Sequence, residues 1–384
     1  MNTFQFCVPT RIYFGKGQMQ TLPDAIQPYG KNILLAYGGG SIKKTGLYDK
    51  IRKLLGDVHI TEFDGIEPNP QLTTVLRGRS LCQTNHIDLI LAVGGGSVID
   101  CAKVVSAAAC YDGDPWDLVC GKVCIEQAIP VASILTNSAT GSEMDAAAVI
   151  TNTATMEKIC MISPAVYPVF SILDPENTYS VSPKQTASGA ADIMSHVLEA
   201  YFNHPYEYLA DGFSESLLRT IIRYAPIALK KPDDYEARSE LMWAATLAIN
   251  GIISVGKENA WSCHPIEHEL SAYYDIPHGL GLAIVTPRWM RHILSEETVD
   301  YFCRYGINVW GLADEKDPFA LANQAIQKTE DFFRSLGLPM TFSEIGIDET
   351  YFDEMSRHAA TIGLSNAFVP LDASDVHAIF QKCL

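Results

Sequence analysis

The chain has 384 residues, of which 47% are hydrophobic, and a formal net charge of −17 at pH 7. This length is more than one ordinary hydrophobic core requires and predicts two domains, while the apolar share excludes a disordered chain. The acidic charge excludes a nucleic-acid-binding surface, which needs a basic stripe, and argues against binding to anionic membranes.

The ten cysteines are scattered along the chain, with Cys120 and Cys124 as the one close pair. This usage is typical of reduced thiols in a cytosolic protein. The N-terminal segment MNTFQFCVPTRIYFGKG has no basic stretch followed by an apolar one, and no apolar run is long enough to span a bilayer. We therefore expect a cytoplasmic protein without a signal peptide.

Short apolar runs alternate with helical patterns through the first half of the chain. These runs predict strands at residues 4–8, 11–14, 32–37, 59–63, 88–93, 129–135 and 169–173. Helical patterns, for example at residues 47–55 and 98–109, fill the intervals. Buried apolar strands that alternate with helices indicate a parallel α/β sheet.

The pattern changes near Asp174-Pro175-Glu176, where strand-like runs end. Long amphipathic stretches follow at residues 183–202, 211–229, 235–255, 317–336 and 348–360. The sequence therefore predicts an α/β domain at residues 1–180 and a helical domain at residues 181–384.

Two glycine-rich turns directly follow predicted strands. In AVGGGSVIDCAK, residues 92–103, the glycines end a strand and a helix begins near Ser97. Glycine lets the backbone approach a pyrophosphate, and a helix N-terminus offers free N–H groups. This context predicts a phosphate site, although the run is not G-x-G-x-x-G and a plain turn is the alternative.

The second turn, YGGGSIKK at residues 37–44, has no carboxylate where many dinucleotide folds carry one that grips the ribose. Lys43 and Lys44 lie just beyond it and are potential donors to a 2′-phosphate. The turn therefore favours NADP over NAD, with a solvent-exposed turn as the alternative. A third segment, TNSATGSE at residues 136–143, carries hydroxyls suited to phosphate, ribose or amide, or is a plain polar loop.

Candidate metal ligands occur in two segments. Asp192 and His196 lie one turn apart on one face of a predicted helix. The stretch HPIEHELSAYYDIPHG, residues 264–279, fits the H-x-x-E-H peptidase signature, with Glu267 as general base. Alternatively, His264 and His278 join the first pair in a set of three imidazoles and one carboxylate, which suits Fe(II) or Zn(II) with an open position. Ordinary core or surface histidines are the third possibility.

Seven segments together resemble one enzyme family. They are, in chain order, PTRIYFGKG, PNP, AVGGGSVIDCAK, GSE, LDP, GAADIMSHVLEAYF and HPIEHELSAYYDIPHGLGLAI. Over essentially the whole chain this series resembles the iron-containing (group III) alcohol dehydrogenases, and most of all their NADPH-dependent butanol dehydrogenase and broad aldehyde reductase branch. The resemblance implies a dehydroquinate-synthase-like fold, α/β plus all-α. In this family the N-terminal domain is Rossmann-like, contains a parallel sheet and binds the dinucleotide. The C-terminal domain is helical and binds the metal. The active site is expected in the cleft between the two domains.

The resemblance also implies roles for individual residues. The implied ligands of Fe2+, or alternatively Zn2+, are Asp192, His196, His264 and His278. The implied contacts of NADP(H) are Gly39, Gly40, Ser41, Asn69, Gly94, Gly95, Gly96, Ser97, Asp100, Thr136, Thr140 and Lys158. His268, one turn from His264, is a candidate proton relay or substrate contact, or else a histidine that only orients a ligand. A homodimer is the family expectation.

We therefore expect a metal-dependent oxidoreductase that interconverts small aldehydes and primary alcohols, such as butyraldehyde and butanol, mainly by reduction with NADPH. One alternative is a zinc-dependent, glycerol-dehydrogenase-like polyol dehydrogenase that uses NAD. A dehydroquinate-synthase-like lyase would need more basic residues for its substrate, and a metal-dependent binding protein would consume no cofactor. Cys263, beside His264, is either packing or a thiol that crowds the metal.

Overall fold

The protein is described by a computed structural model that covers residues 1–258 and 260–384. These residues form two compact units. The sheet unit comprises Cys7–Val181 and Pro232–Thr246, and the helical unit comprises Met1–Phe6, Ser182–Lys231 and Leu247–Leu384. The break after Val181 lies next to the predicted boundary, but Met1–Phe6 and Pro232–Thr246 each belong to the unit on the other side of it.

Local contacts explain these two exchanged segments. In the sheet unit, the ring of Trp243 packs edge-on against Phe14 at 5.7 Å, and the Tyr235 hydroxyl accepts from the backbone N–H of Lys16 at 3.1 Å. In the helical unit, the backbone N–H of Asn2 donates to the carbonyl of Gly256 at 2.9 Å. A helical or extended pattern in the sequence does not specify against which structural unit its apolar side chains will pack.

The regular elements within the described residues are as follows. The strands are β1 Arg11–Phe14, β2 Asn32–Tyr37, β3 His59–Phe63, β4 Leu89–Gly94, β5 Val131–Leu135, β6 Ala147–Asn152, β7 Glu157–Ile162 and β8 Phe170–Leu173. The helices are α1 Leu22–Ile26, α2 Ser41–Lys44, α3 Leu47–Leu55, α4 Leu72–Asn85, α5 Gly96–Ala108, α6 Pro115–Val119, α7 Pro183–Tyr201, α8 Tyr208–Lys230, α9 Tyr235–Ile249, α10 Cys263–Tyr274, α11 His278–Ile293, α12 Val299–Asn308, α13 Pro318–Ser335, α14 Phe352–Ala359 and α15 Ala373–Cys383.

The predicted parallel sheet is confirmed. In the part of the chain that the structure describes, its strand order is β1-β8-β5-β4-β2-β3, and every neighbouring pair runs parallel. Alternate residues of β2 enter opposite apolar layers: Leu34 packs in the layer that contains Ile99 of α5, and Leu35 in the layer that contains Ile51 of α3. The sheet is therefore covered on both faces, which explains why its strands are apolar along their lengths.

Two expectations about strands were wrong or incomplete. Residues 4–8 form no strand, and the side chains of Phe4 and Phe6 are 48% and 45% exposed, so their alternation does not mark a buried face. The antiparallel hairpin of β6 and β7 was not predicted. Each strand begins with residue types that are uncommon in strands, Ala147-Ala148 and Glu157-Lys158, although β-branched residues follow at 149–151 and 159, so a strand signal was present and not used.

A buried lysine on α5 binds the segment at the start of this hairpin. Lys103 of α5 is fully buried, and its Nζ donates to Asp145 Oδ1 at 2.5 Å and to the carbonyls of Asp145 and Ala147 at 3.0 and 2.8 Å. An ammonium has three donors, and all of them are used. This pairing offsets the cost of burying the charge and fixes the start of β6 against α5.

The helical unit is built around α7. Ser182 caps this helix by accepting from the backbone N–H of Gln185 at 3.2 Å, and Pro183 occupies the first helical position, where its missing N–H costs nothing. Most side chains of α7 are buried.

Among the described residues, no helix has the length and apolar character needed to cross a membrane. All the cysteines, which lie in the described ranges, carry free thiols.

Replacing Lys103 with methionine should lower the free energy of unfolding by about 3–5 kcal/mol, because Asp145 would remain buried without its cationic partner. Urea denaturation followed by circular dichroism measures the change. Lys122→Met is the matched control, since Lys122 is 63% exposed and pairs with Asp117 at the surface; it should leave the unfolding midpoint unchanged. Equal midpoints for K103M and wild type would contradict the assigned role of Lys103.

Candidate functional site

Three helices of the helical unit bring the predicted metal ligands together. Asp192 and His196 lie one turn apart on α7, and Asp192 Oδ1 is 3.6 Å from His196 Nε2. His264 stands in the first turn of α10 and His278 begins α11. Their Nε2 atoms lie 3.8 and 3.7 Å from the same Asp192 oxygen. Asp192 Oδ1 therefore faces an Nε2 atom of each predicted histidine, and ligand atoms of Asp192, His196 and His264 lie within 4.8 Å of one another. His278 reaches the same Asp192 oxygen and also groups, within the same distance, with Glu267 and His268.

These distances suit ligands of one ion better than hydrogen bonds. Asp192 Oδ1 and His264 Nε2 are buried and have no hydrogen-bond partner among the described residues. Two atoms bound to one tetrahedral ion at roughly 2.1 Å lie about 3.4 Å apart. A carboxylate with three imidazoles is a donor set for Fe(II) or Zn(II). The residues present therefore fit a divalent transition metal.

Burial and charged neighbours give the members of the cluster different protonation states. Burial alone would raise the pKa of Asp192, but His196, His264 and His278 hold that pKa well below its usual range. Burial lowers the pKa of His196 to about 4. Burial disfavours the charged form of His264 too, yet the carboxylates of Glu199 and Asp192 raise its pKa to about 9. At neutral pH, Asp192 is ionised and His196 is neutral, whereas a metal must displace a proton from His264.

Two buried glutamates contact the far nitrogens of the ligand histidines. Glu199 Oε1 bonds to His264 Nδ1, and Glu267 Oε2 bonds to His278 Nδ1. The role of Glu199 was not predicted from the sequence, and Glu267 entered only as the general base of the less favoured peptidase alternative. In the structure Glu267 is fully buried and is held by His278 and Ser271. For Glu199, the spacing from Asp192 and His196 on one helix face was a usable signal.

His268 and Trp261 border this cluster. His268 lies one turn after His264 on α10, and its ring centroid is 6.3 Å from that of His264 and 5.5 Å from that of His278. Trp261 packs edge-on against the rings of His196 at 5.9 Å and His264 at 4.8 Å. His268 is thus adjacent to the predicted ligands without belonging to the predicted set. The Trp261 ring covers one side of the cluster.

The sheet unit places both glycine-rich turns at a change of strand order. β2 is flanked by β3 on one side and β4 on the other, and the order continues from β4 to β5. Ligands of open α/β sheets bind outside the carboxyl ends of strands at such a switch point. Gly39, Gly40 and Ser41 follow β2, and Gly95, Gly96 and Ser97 follow β4, so the two turns flank it.

The turn after β4 contacts the hydroxyl-rich segment after β5. A Cβ added at Gly96 would lie 2.3 Å from Thr140 Oγ1, so only glycine allows this approach. The backbone N–H of Thr136 donates to the carbonyl of Gly94 at 3.0 Å. Helix α5 begins at Gly96, so its free N–H groups lie at this turn. The structure therefore brings Thr136 and Thr140 to the predicted phosphate site.

The remaining predicted cofactor residues have partners within the protein. Lys158 Nζ donates to Asn69 Oδ1 at 3.0 Å, which joins these distant residues in one pair. Asp100 accepts from Ser142 Oγ at 2.5 Å and from the backbone N–H of Val149 at 3.0 Å. The Asp100 carboxylate therefore anchors the loop that carries Thr140, and its predicted cofactor contact stays a prediction.

A carboxylate that the sequence analysis missed lies near the turn after β2. Glu62 of β3 accepts from the hydroxyls of Tyr37 and Tyr48, each at 2.5 Å, and its Oε2 is 3.4 Å from Lys43 Nζ. Because Glu62 lies on a different strand from the glycine turn, spacing along the chain did not reveal it. Lys43 is therefore already paired with a carboxylate.

Family models match both halves of the chain. Residues 9–175 match the model described as iron-containing alcohol dehydrogenase, and residues 186–384 match the model of the C-terminal part of the Fe-containing alcohol dehydrogenase family. The chain belongs to the iron-containing alcohol dehydrogenase family. The expected resemblance is confirmed over both the sheet unit and the helical unit.

Relatives in this family resemble the chain along its whole length. It is 49% identical to the NADH-dependent butanol dehydrogenase A of Clostridium acetobutylicum, with all of both chains covered. It is 38% identical to the NADPH-dependent aldehyde reductase YqhD of Escherichia coli over 97% of this chain and 98% of that protein. A crystal structure of NADH-dependent butanol dehydrogenase A from Thermotoga maritima matches with a TM-score of 0.96 at 38% identity, covering 100% of this chain and 99% of the other.

These family relationships confirm the two-part fold, with a dinucleotide-binding α/β part and a helical part. They do not select one form of the cofactor, because the names of the relatives specify NADH in some cases and NADPH in another.

Glu143 is a buried acid at the end of the hydroxyl-rich segment. Its Oε1 accepts from Thr246 Oγ1 at 2.5 Å, and its Oε2 is buried without a hydrogen-bond partner in the described chain. Burial raises the pKa of Glu143 to about 7. The protonated acid is therefore the form that the fold stabilises, and the ionised form is the costly one.

Glu143 should make folding stability fall as the pH rises. Because its folded-state pKa exceeds the ordinary value of 4.5, its contribution is fully present below about pH 4.5 and lost as the pH rises through about 7. Between pH 5 and pH 8, wild type should lose on the order of 3 kcal/mol relative to Glu143→Gln, which cannot ionise. Denaturant unfolding of both proteins at the two pH values tests this, and parallel pH dependences would contradict it.

Proposed function

We propose that this chain is a metal-dependent oxidoreductase that interconverts small aldehydes and primary alcohols, mainly in the reductive direction, with butyraldehyde as a representative substrate. The observation that carries the proposal is the buried Asp192 oxygen, which has no hydrogen-bond partner in the described chain and faces the Nε2 atoms of His196, His264 and His278 within 3.8 Å. Family membership supports the same activity.

The proposal assigns one task to each unit. In the helical unit, Asp192 and the histidines would hold Fe2+, or alternatively Zn2+, which when bound supplies Lewis-acid polarisation of a carbonyl or alcohol oxygen. In the sheet unit, the backbone N–H groups of Gly95–Ser97 would bind the pyrophosphate of the nicotinamide cofactor, which supplies the hydride. His268, beside the ligands, would pass a proton to or from the substrate oxygen.

For the cofactor, we propose NADPH over NADH. The turn after β2 offers Gly39, Gly40 and Ser41 and carries no carboxylate of its own. Glu62, the neighbouring acid, is engaged by two tyrosine hydroxyls and Lys43, which reduces its repulsion of a 2′-phosphate. The relative YqhD is named for NADPH, whereas the butanol dehydrogenases are named for NADH, so this preference needs a direct test.

The same proposal includes a cytoplasmic homodimer that acts on small molecules. The alternative of a zinc-dependent polyol dehydrogenase with NAD is less well supported, because the relatives described above carry names that specify butanol and aldehydes.

Removal of the metal should abolish the activity. Metal-stripped protein should reduce butyraldehyde about a thousandfold more slowly than protein refilled anaerobically with Fe(II) or Zn(II), because Lewis-acid stabilisation contributes several kcal/mol. With refilled protein, kcat/KM should be about 10–100-fold higher with NADPH than with NADH, as expected for charged hydrogen bonds to a 2′-phosphate. Absorbance at the nicotinamide band measures both rates.

The control is a histidine outside the cluster. His292→Ala removes an imidazole that pairs with Asp375 and should keep the metal and the activity, whereas Asp192→Ala should lose both. An unchanged rate after complete metal removal would overturn the proposed function. A higher kcat/KM with NADH would overturn only the cofactor preference.

The role of His268 is tested by its replacement with alanine. If His268 transfers a proton, kcat should fall by about 10²–10⁴-fold, with a changed pH profile and the metal still bound. His358→Ala, which removes another imidazole packed against α10, is the control and should keep the wild-type profile. A wild-type rate and pH profile in metal-loaded H268A would show that His268 takes no part in the chemistry.

A further inference from the structure

The histidines of the metal cluster differ in what holds their far ring nitrogens. Nδ1 of His264 bonds to Glu199, and Nδ1 of His278 bonds to Glu267. Nδ1 of His196 is buried and has no hydrogen-bond partner among the described residues. Two of the proposed ligands are thus anchored by carboxylates, and the third is fixed by its helix and its packing.

Glu267 is built into the contact between α10 and α11. It is fully buried; one carboxylate oxygen bonds to His278, and the other accepts from Ser271 Oγ at 2.5 Å. A Cβ added at Gly281, one turn after His278, would lie 2.7 Å from Glu267 Cγ and Oε1. Glycine at that position therefore lets α11 approach closely enough for Glu267 to reach Nδ1 of His278.

Glu199 joins α7 to the start of α10. Its Oε2 accepts from the backbone N–H groups of Ser262 at 2.5 Å and Cys263 at 2.8 Å, while Oε1 bonds to His264 Nδ1. A carboxylate at a helix N-terminus satisfies free donors and favours the helix dipole. Glu199 therefore fixes both the ring of His264 and the backbone that carries it.

We propose that Glu199 and Glu267 are positioning residues that set the affinity of this site for a divalent metal. This inference rests on the metal site of the proposed function. A carboxylate that accepts from Nδ1–H keeps the proton on that nitrogen and leaves the lone pair of Nε2 directed at the ion. The two glutamates also add negative charge beside a ligand set whose own carboxylate is Asp192, which favours a doubly charged cation over its absence.

The chain contains a matched control for this inference. Glu269 lies two residues after Glu267 on α10, is 1% exposed, and its Oε1 is 2.7 Å from Nδ1 of His358. It repeats the contact of a buried glutamate with a histidine on the same helix, but His358 is 30% exposed and lies outside the proposed ligand set. Changing Glu269 therefore reports the cost of altering a buried glutamate without altering a ligand.

The experiment measures metal binding by the full-length protein at one fixed pH. The Kd for Zn2+ is obtained by competition with a chromophoric chelator, and the visible absorption of the Co2+-loaded protein reports the geometry around the ion. Glu267→Gln, which keeps the shape and removes the charge, should weaken Zn2+ binding by about 10–100-fold and alter the Co2+ spectrum. Glu199→Gln should do at least as much, and Glu269→Gln should leave both readouts at wild-type values.

Each outcome decides the inference. Equal Zn2+ Kd values for E267Q and wild type overturn the inference and leave the proposed metal site intact. An equal loss of Zn2+ affinity in E267Q and E269Q overturns the inference in the same way. A wild-type protein that binds neither ion overturns the inference together with the proposed function. If E267Q does not fold, Ser271→Ala takes its place, because it removes the hydroxyl that orients Glu267; a weaker Zn2+ Kd supports the inference and an unchanged one overturns it.

Discussion

The helical unit depends on one constraint, which is that Asp192 must meet the histidines of three different helix segments inside an apolar interior. Polar atoms buried without partners are costly, and both Asp192 Oδ1 and His264 Nε2 are in that state. A divalent cation held by these atoms would remove that cost. The caps and contacts of α7, α10 and α11 are then readily understood, since each places a ligand at the turn where it reaches the common point.

Under the proposed function, the sheet unit has to hold an anionic cofactor on an acidic protein. Several basic side chains near the predicted site already have partners: Lys103 is bound to Asp145, Lys43 lies beside Glu62, and Lys158 donates to Asn69. Lys44 is exposed. We therefore expect backbone N–H groups at the start of α5 to carry much of the phosphate binding. The close approach of Thr140 to Gly96 and the bonds of Asp100 to Ser142 and Val149 fix the turn that presents these groups.

Spacing and residue type were enough to predict that Asp192 and the three histidines lie together and that the sheet is parallel, because both leave local patterns in the chain. Asp192 and His196 are one helical turn apart, and the strands are short apolar runs that end at glycine. The glutamates behind the histidines were missed because their role depends on contacts between helices that are distant in sequence. The hairpin of β6 and β7 was missed although its strands contain β-branched residues, and the false strand at residues 4–8 had the pattern without the burial.

The proposed ligand histidines differ in how their far ring nitrogens are held. His264 and His278 are held at Nδ1 by carboxylates, whereas His196 depends on the rigidity of α7 and on stacking against His264 at a centroid distance of 4.6 Å. Since a hydrogen-bonded carboxylate increases the basicity of an imidazole, the two anchored histidines should be the stronger donors. His196 would then be the weakest of the imidazole donors that hold the ion.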